Sequence, residues 1–143
     1  MINMYRSAGG DGVGVDVYQW DGVDMVLINT KKLPFEKASF DTVTFVDSLN
    51  HITYRPAILK EVRRVLKPEG LLLITNLSPL ISLLWHKWAF WDKDQHERGM
   101  EEEEIYGFRK RELVELLSGC GFRVNKIERF AWKINQLYIC SPE

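Results

Sequence analysis

The chain has 143 residues, of which 45% are hydrophobic and 27% are charged, and its formal net charge is −1. A chain of this length and composition predicts one globular domain spanning residues 1–143. The near balance of charge argues against nucleic-acid and membrane partners. The two cysteines and three histidines lack the spacing of metal ligands. The absence of an apolar leader predicts a cytoplasmic protein.

Three strands are predicted in the first third of the chain. A flexible glycine-rich run, residues 9–14, leads into a short strand over Val13–Val17. The largely apolar run Val23–Ile28 predicts a second strand that is buried on both faces, as in a parallel sheet. Residues Phe40–Val46 are rich in β-branched and aromatic side chains, which favours a third strand.

The helix that follows is predicted to connect two parallel strands. Pro56 suits the first helical turn, where a missing N–H costs nothing. Apolar residues then recur at helical spacing: Ile58, Leu59, Val62, Val65 and Leu66. We expect this helix to stop at Lys67–Gly70, before a fourth strand over Leu71–Thr75. Strand, helix and strand in this order indicate a doubly wound α/β sheet.

The second half of the chain predicts two more helices and two closing strands. Residues Pro79–Trp91 favour a helix, and the polar, irregular run Asp92–Tyr106 after it completes an insertion over 79–106. Another helix is predicted over Arg109–Ser118, with a glycine-rich, left-handed end. The strands Phe122–Phe130 and Gln136–Cys140 are too close in sequence for a crossover helix, so we expect an antiparallel hairpin.

Four short segments occur in an order and spacing that carry a family resemblance. They are Leu33–Phe35, Ser39–Asp41, Asn50–Ile52 and Glu61–Gly70. Together they resemble the landmarks of the class I S-adenosylmethionine-dependent methyltransferases, in the type 11 branch. The resemblance implies a Rossmann-like, doubly wound, mostly parallel sheet with an antiparallel C-terminal hairpin. It also implies S-adenosylmethionine as the cofactor.

The N-terminal part departs from that family pattern. The family opens with a strand, a glycine loop around the cofactor and a helix, before a strand that ends in an acidic residue. Here Gly10 and Gly12 begin a G-x-G-x-G match, yet Asp16 follows at once and leaves no residues for the helix. Residues Ile2–Arg6 are the candidate stub of the first strand. The N-terminal unit is therefore expected to be missing or compressed, with Gly10 and Gly12 predicted to contact the cofactor.

The resemblance implies further cofactor contacts at the ends of the predicted strands. Asp16 stands where the family's carboxylate accepts from the ribose hydroxyls; the alternative is an aspartate that caps its own turn. Asn29 and Thr30 occupy the place of the adenine contacts, and the alternative for Asn29 is an ordinary turn residue. Asp47 follows the third strand, where ligands of open α/β sheets bind, so it is predicted to border cofactor and substrate.

Candidate substrate-facing residues lie later in the chain. His51 is the histidine nearest this edge of the sheet, and it is either a base or a structural residue that bonds its loop. Asp94, His96 and Arg98 resemble a signature of one methyltransferase subgroup, which implies a lid that faces the substrate. The alternative for this run is a solvated loop.

Three functions compete at this stage. The first is transfer of a methyl group to a small-molecule acceptor, and the second is a catalytically inactive methyltransferase-like module that binds or dimerises. A nicotinamide-dinucleotide enzyme is disfavoured because its phosphate loop requires a helix directly after the glycines. A homodimer would cover either the exposed sheet edge or the apolar face that helical spacing predicts for Trp85, Trp88 and Trp91.

Overall fold

The fold is described from a computed structural model over residues 2–19, 21–28, 31–77, 107–132 and 134–143. The elements, in chain order, are α1 (Ile2–Ser7), β1 (Val15–Asp16), β2 (Met25–Val26), β3 (Phe40–Val46), α2 (Arg55–Val65), β4 (Leu66–Leu77), α3 (Lys110–Gly119), β5 (Phe122–Phe130) and β6 (Asn135–Pro142). A short 3-10 helix, Leu49–His51, lies between β3 and α2. The helix predicted over Pro79–Trp91 and the lid predicted after it lie outside the described residues. Among those residues, no helix has the length and apolar character needed to cross a bilayer.

The strands form two sheets. Strands β1 and β2 pair in parallel as a two-stranded sheet, and the larger sheet has the order β3-β4-β6-β5. Within the larger sheet, β3 and β4 are parallel and are connected by α2, whereas β6 is antiparallel to both of its neighbours. The parallel pair with a helical connection and the antiparallel closing hairpin confirm the predicted fold class, a Rossmann-like α/β sheet.

The core lies against one face of the larger sheet. Alternate residues of β4 point into it, and Leu72 and Ile74 are fully buried. Helices α2 and α3 cover this face with apolar side chains: Ile58, Leu59, Val62, Val65, Leu113 and Leu117. On the opposite face of the same strands, Leu71 of β4 is 38% exposed and Val46 of β3 is 42% exposed. The helical stripe predicted after Pro56 is therefore confirmed as a core surface.

Two predictions about the N-terminal part are wrong. Residues Ile2–Ser7 form a helix rather than a strand stub, and a six-residue run is too short to show which periodicity it follows. The run Val23–Ile28 was expected to be buried on both faces, but only Met25–Val26 pairs, and Ile28 is fully exposed. The apolar composition of this run therefore does not reflect burial inside a sheet.

The residues predicted to stop the helix, Lys67–Gly70, lie inside the bounds of strand β4. Helix α2 ends at Val65 and β4 begins at Leu66, earlier than the predicted start at Leu71. The register passes from Phe40 opposite Leu66 to Thr42 opposite Leu71, so residues 67–70 have no partners in the ladder with β3. This interruption accommodates Pro68, which has no backbone N–H to donate. At the end of α3, Gly121 has a φ of +80°, as the predicted left-handed end requires.

Candidate functional site

Asp16 lies at the carboxyl end of the parallel pair β1 and β2, as predicted. Its Oδ1 atom accepts hydrogen bonds from the backbone N–H groups of Val17, at 2.7 Å, and Tyr18, at 3.2 Å. Within the described residues, Oδ2 accepts no hydrogen bond from another group. The structure therefore contains the turn cap that was the alternative interpretation, and it leaves one carboxylate oxygen available for a ligand.

Asp47 lies directly after β3, at the carboxyl end of the parallel strands of the larger sheet. Its backbone is left-handed, with a φ of 46°, and its N–H donates to Oγ1 of Thr75 on β4 at 2.9 Å. Nδ2 of Asn135, the first residue of β6, donates to Oδ2 of Asp47 at 3.0 Å. The other oxygen, Oδ1, is buried without a hydrogen-bond partner among the described residues. Three strands thus fix this carboxylate and leave one oxygen able to accept.

The glycines before β1 have neighbours that the sequence did not indicate. A Cβ atom at Gly10 would lie 2.3 Å from the ring of Tyr5, and one at Gly12 would lie 3.0 Å from the side chain of Ile2. At Gly14 the neighbour is the backbone oxygen of Gly22, at 2.5 Å. The glycines therefore permit close packing of α1 and of the connection between β1 and β2. The predicted cofactor contacts of Gly10 and Gly12 stay predictions.

Polar contacts join α1 to this segment. The guanidinium group of Arg6 donates to the carbonyl oxygen of Gly12, at 2.6 and 3.1 Å, and forms an ion pair with Asp24. Oδ2 of Asp24 also accepts from the N–H of Gly14 at 2.7 Å. The hydrogen bond from Arg6, followed by that from Gly14, holds the pKa of the Asp24 carboxyl below its ordinary value. The two-stranded sheet is thus held by charge-assisted contacts.

Two of the segments that carried the family resemblance meet each other. Glu61 of α2 accepts from the N–H of Leu33 at 3.0 Å. Arg64, one turn later, donates to the carbonyl oxygens of Leu33, at 3.0 Å, and Phe35, at 2.8 Å, and to both oxygens of Glu61 at 2.8 Å. The hydrogen bonds from Arg64 lower the pKa of Glu61 to about 2 despite partial burial. We call this group, Leu33–Phe35 with Glu61 and Arg64, the backbone clasp.

The backbone clasp gives a physical reason for the spacing of Glu61 and Arg64 in the segment Glu61–Gly70. An acidic and a basic residue three positions apart lie on the same side of a helix, and here that side faces a loop. The signal was present in Glu61 and Arg64, but their partners are backbone groups of residues 33 and 35, about 30 positions away. Side-chain patterns alone do not reveal such partners.

Of the remaining predicted site residues, the structure describes His51. His51 ends the 3-10 helix and is exposed, with its Nε2 atom 3.1 Å from Nδ2 of Asn50. Arg55 donates to the carbonyl oxygens of Leu49 and Asn50, at 3.3 and 2.8 Å, which fixes this turn. The other predicted residues lie outside the described part of the chain: Asn29, Thr30, Asp94, His96, Arg98, Trp85, Trp88 and Trp91.

The donor set fits a neutral or cationic organic ligand better than a metal ion. Asp16 and Asp47 lie at the carboxyl ends of parallel strands, and among the described residues no group donates to Oδ2 of Asp16 or to Oδ1 of Asp47. Such oxygens suit hydroxyl and amino donors such as those of S-adenosylmethionine. The described residues contain no cluster of three side chains able to hold a metal. Cys120 and Cys140 are buried free thiols, and burial raises the pKa of both, that of Cys140 to about 12. Neither thiol is therefore an available nucleophile.

Residues 3–74 match the family model described as a methyltransferase domain. This segment contains all of α1 except Ile2, together with Asp16, Asp47 and the backbone clasp. A mitochondrial 2-methoxy-6-polyprenyl-1,4-benzoquinol methylase from Leishmania donovani is 32% identical over 90 residues, which are 60% of this chain and 31% of that protein. A ubiquinone/menaquinone biosynthesis C-methyltransferase from Hahella chejuensis is 34% identical over 74 residues, which are 49% of this chain and 30% of that protein.

One solved structure aligns with nearly the whole chain. The PH0226 protein from Pyrococcus horikoshii is similar with a TM-score of 0.72 and 25% identity, over 99% of this chain and 77% of that one. The described part of the chain thus shares its fold with a larger solved protein. In contrast, its match to the curated relatives spans about a third of their length.

Proposed function

This chain belongs to the methyltransferase domain family, and from that premise we propose that it transfers a methyl group from S-adenosylmethionine to a small-molecule acceptor in the cytoplasm. The observation that carries the proposal is Asp16, whose carboxylate stands at the end of β1 inside the segment that matches the family. Its Oδ1 atom closes a turn, and its Oδ2 atom is free to accept from a ribose hydroxyl. A carboxylate is suited to this role because it only accepts hydrogen bonds.

We assign Asp47 to the reacting end of the same site. S-Adenosylmethionine supplies, when bound, a methyl group on a positively charged sulfur. A carboxylate near that sulfur stabilises the charge and orients the donor, and Oδ1 of Asp47 has unused acceptor capacity. Because Thr75 and Asn135 hold Asp47 from two neighbouring strands, its position is fixed before any ligand binds.

For the acceptor, we propose a benzoquinol that is methylated at a ring carbon. The relative that is 32% identical is named as a benzoquinol methylase, and the relative that is 34% identical is named as a C-methyltransferase of ubiquinone and menaquinone biosynthesis. A base removes the hydroxyl proton of the quinol, the ring carbon forms the new bond to the methyl carbon, and the electron pair of the broken bond goes to sulfur. The C–H proton of that ring carbon then passes to water, and the ring becomes aromatic again. His51, which is exposed and ends the 3-10 helix that follows Asp47, is the proposed base.

Calorimetric titration of the protein with S-adenosylmethionine and S-adenosylhomocysteine tests the proposal. The informative variant is Asp16→Asn, since its side-chain carbonyl keeps the turn cap while the other oxygen becomes a donor. We expect it to bind either ligand about 10- to 100-fold more weakly, the usual effect of losing a hydrogen bond to a charged group. Asp41→Asn is the matched control, because Asp41 lies at the opposite end of β3 and only pairs with Lys67 at the surface. It should bind as the unaltered protein does.

Two outcomes count against the proposal. Absence of heat with both ligands would leave the catalytically inactive binding module as the function. Equal affinity of Asp16→Asn and Asp41→Asn would remove Asp16 from the site. Transfer of labelled methyl to a short-chain 2-methoxy-1,4-benzoquinol tests the acceptor, and labelling at oxygen instead of ring carbon would overturn the proposed C-methylation.

A further inference from the structure

The tip of the β5–β6 hairpin exposes large apolar side chains. Trp132 is 96% exposed, Phe130 is 43% exposed and Ile134 is 37% exposed. Ala131 and Trp132 both have left-handed backbones, with φ values of 47° and 60°, and the carbonyl of Ala131 accepts from the N–H of Ile134 at 3.1 Å. Such a conformation is strained for residues other than glycine. The turn therefore exposes the indole of Trp132 to solvent although its backbone is strained.

This tip adjoins the candidate site. Asn135, the first residue of β6, pairs with Leu77 at the carboxyl end of β4 and donates to Asp47. The turn therefore leaves the sheet at the edge where Asp47 presents its unused oxygen. The apolar tip therefore lies at the same end of the sheet as the proposed site.

Positive charge accompanies the apolar tip. Residues 126–134 contain three basic side chains and one acidic one. The acidic residue, Glu128, is paired with Lys126, while Arg129 is exposed next to Phe130. The near-zero net charge of the whole chain argued against a membrane partner, but a sum over 143 residues does not reveal a local patch. Aromatic side chains beside basic ones are the composition that binds the interface of anionic membranes.

We propose that this hairpin tip, Phe130, Trp132 and Ile134 with Arg129, docks on the surface of an anionic phospholipid bilayer. The apolar side chains enter the interfacial region and Arg129 meets the lipid phosphates. The proposal extends the proposed function, because a polyprenyl benzoquinol dissolves in the bilayer and would approach the site from this edge. Surface binding itself needs neither cofactor nor acceptor, so the two proposals are tested separately.

Co-sedimentation of the full chain with vesicles tests the docking. The vesicles contain either phosphatidylcholine alone or equal parts of phosphatidylcholine and phosphatidylglycerol. We expect the protein to partition onto the anionic vesicles, Trp132→Ala to lower the partition coefficient about tenfold, and Arg129→Gln to lower it about fivefold. Met4→Ala removes a side chain that is 75% exposed on α1 and should leave the partition coefficient unchanged.

The design separates docking from misfolding and from dimerisation. Thermal unfolding should be the same for Trp132→Ala and Met4→Ala, since both remove exposed side chains. The proposal is overturned if the unaltered protein does not sediment with anionic vesicles, or if Trp132→Ala sediments equally well. It is also overturned if sedimentation velocity without lipid shows a dimer that Trp132→Ala abolishes, because the tip would then meet a second copy of the chain. Binding of S-adenosylmethionine in solution decides the proposed function independently of all these results.

Discussion

Different interactions stabilise the N-terminal two-stranded sheet and the C-terminal four-stranded sheet. Strands β3 to β6 pack on α2 and α3 through a continuous core in which Leu59, Leu72 and Tyr138 are fully buried. In α1, β1 and β2 no residue is buried, and hydrogen bonds, the ion pair of Arg6 with Asp24 and the packing of Tyr5 and Ile2 on glycines hold these elements. The proposed site draws on both regions, because Asp16 belongs to the first and Asp47 to the second.

This difference separates stability from ligand recognition. Hydrophobic burial contributes most to folding, so the four-stranded sheet is expected to persist when the N-terminal contacts open. The carboxylate proposed to hold the ribose therefore lies in the part that opens most easily. A ligand that joins Asp16 to Asp47 would stabilise the weaker region by mass action.

The largest expected effect is in the core. Leu59→Ala removes a fully buried side chain of α2 and should lower the free energy of unfolding by about 2–5 kcal/mol. Ile28→Ala is the matched control from the other region; its side chain is fully exposed, and its effect should stay within about 0.5 kcal/mol. Urea denaturation measures both. Equal losses would mean that the two regions do not differ in the way described.

An intermediate effect is expected at the backbone clasp, which joins Leu33–Phe35 to the core helix. Glu61→Gln weakens the hydrogen bonds to Arg64 and to the N–H of Leu33 and should cost about 1–3 kcal/mol. Glu115→Gln is the control on α3: it removes an exposed pair with Arg111 at 2.7 Å and should cost less than about 0.5 kcal/mol. If Glu61→Gln lowers the free energy of unfolding no more than the control does, the clasp stabilises the fold no more than an ordinary surface contact.

The clasp also has a defined pH dependence. The folded pKa of Glu61, about 2, lies below its ordinary value of 4.5. Its stabilising contribution is therefore fully present above pH 4.5 and is lost as the pH falls from 4.5 towards 2. Urea titrations across this range should show the unaltered protein and Glu61→Gln converging as the pH falls. A constant difference would contradict the assignment.

The smallest effect concerns the N-terminal glycines. Gly14→Ala places a Cβ atom 2.5 Å from the carbonyl oxygen of Gly22 and should destabilise the two-stranded sheet by about 1 kcal/mol. The N–H groups of Asp24 and Met25, both bonded to the Gly14 carbonyl, should then exchange hydrogen about five times faster. Gly119→Ala enters open space and should not alter exchange there. If hydrogen exchange at Asp24 and Met25 is unchanged in Gly14→Ala, the backbone moves apart at Gly14 and Gly22 without destabilising the sheet.

The sequence predicted the four-stranded part well because its elements are long enough to show a period. Phe40–Val46 has the predicted bounds, and the helix after Pro56 buries the predicted stripe. The N-terminal part failed for the opposite reason: Ile2–Ser7 spans less than two helical turns, and β1 and β2 have two residues each. Their structure depends on contacts such as Arg6 with Gly12, which no local pattern encodes.

The candidate site was predictable only where it coincides with strand ends. Asp16 is the last residue of β1 and Asp47 follows β3, so their place at the carboxyl ends of parallel strands could be inferred from topology. The left-handed backbone of Asp47 and its tether to Asn135, 88 positions later, could not, because both depend on the pairing of β6 with β4. No pattern in the sequence indicates that Tyr5 and Ile2 lie beside the glycines that are predicted to contact the cofactor.

The φ of 46° at Asp47 limits how this position can change during evolution. Aspartate, asparagine and glycine are the residues that adopt such a backbone readily, whereas β-branched side chains are excluded. A single step from aspartate to asparagine thus exchanges an anionic group for a neutral one while the geometry of the turn is retained. Lineages carrying this scaffold can therefore lose or regain the negative charge at this position by a single substitution, without rebuilding the strands around it.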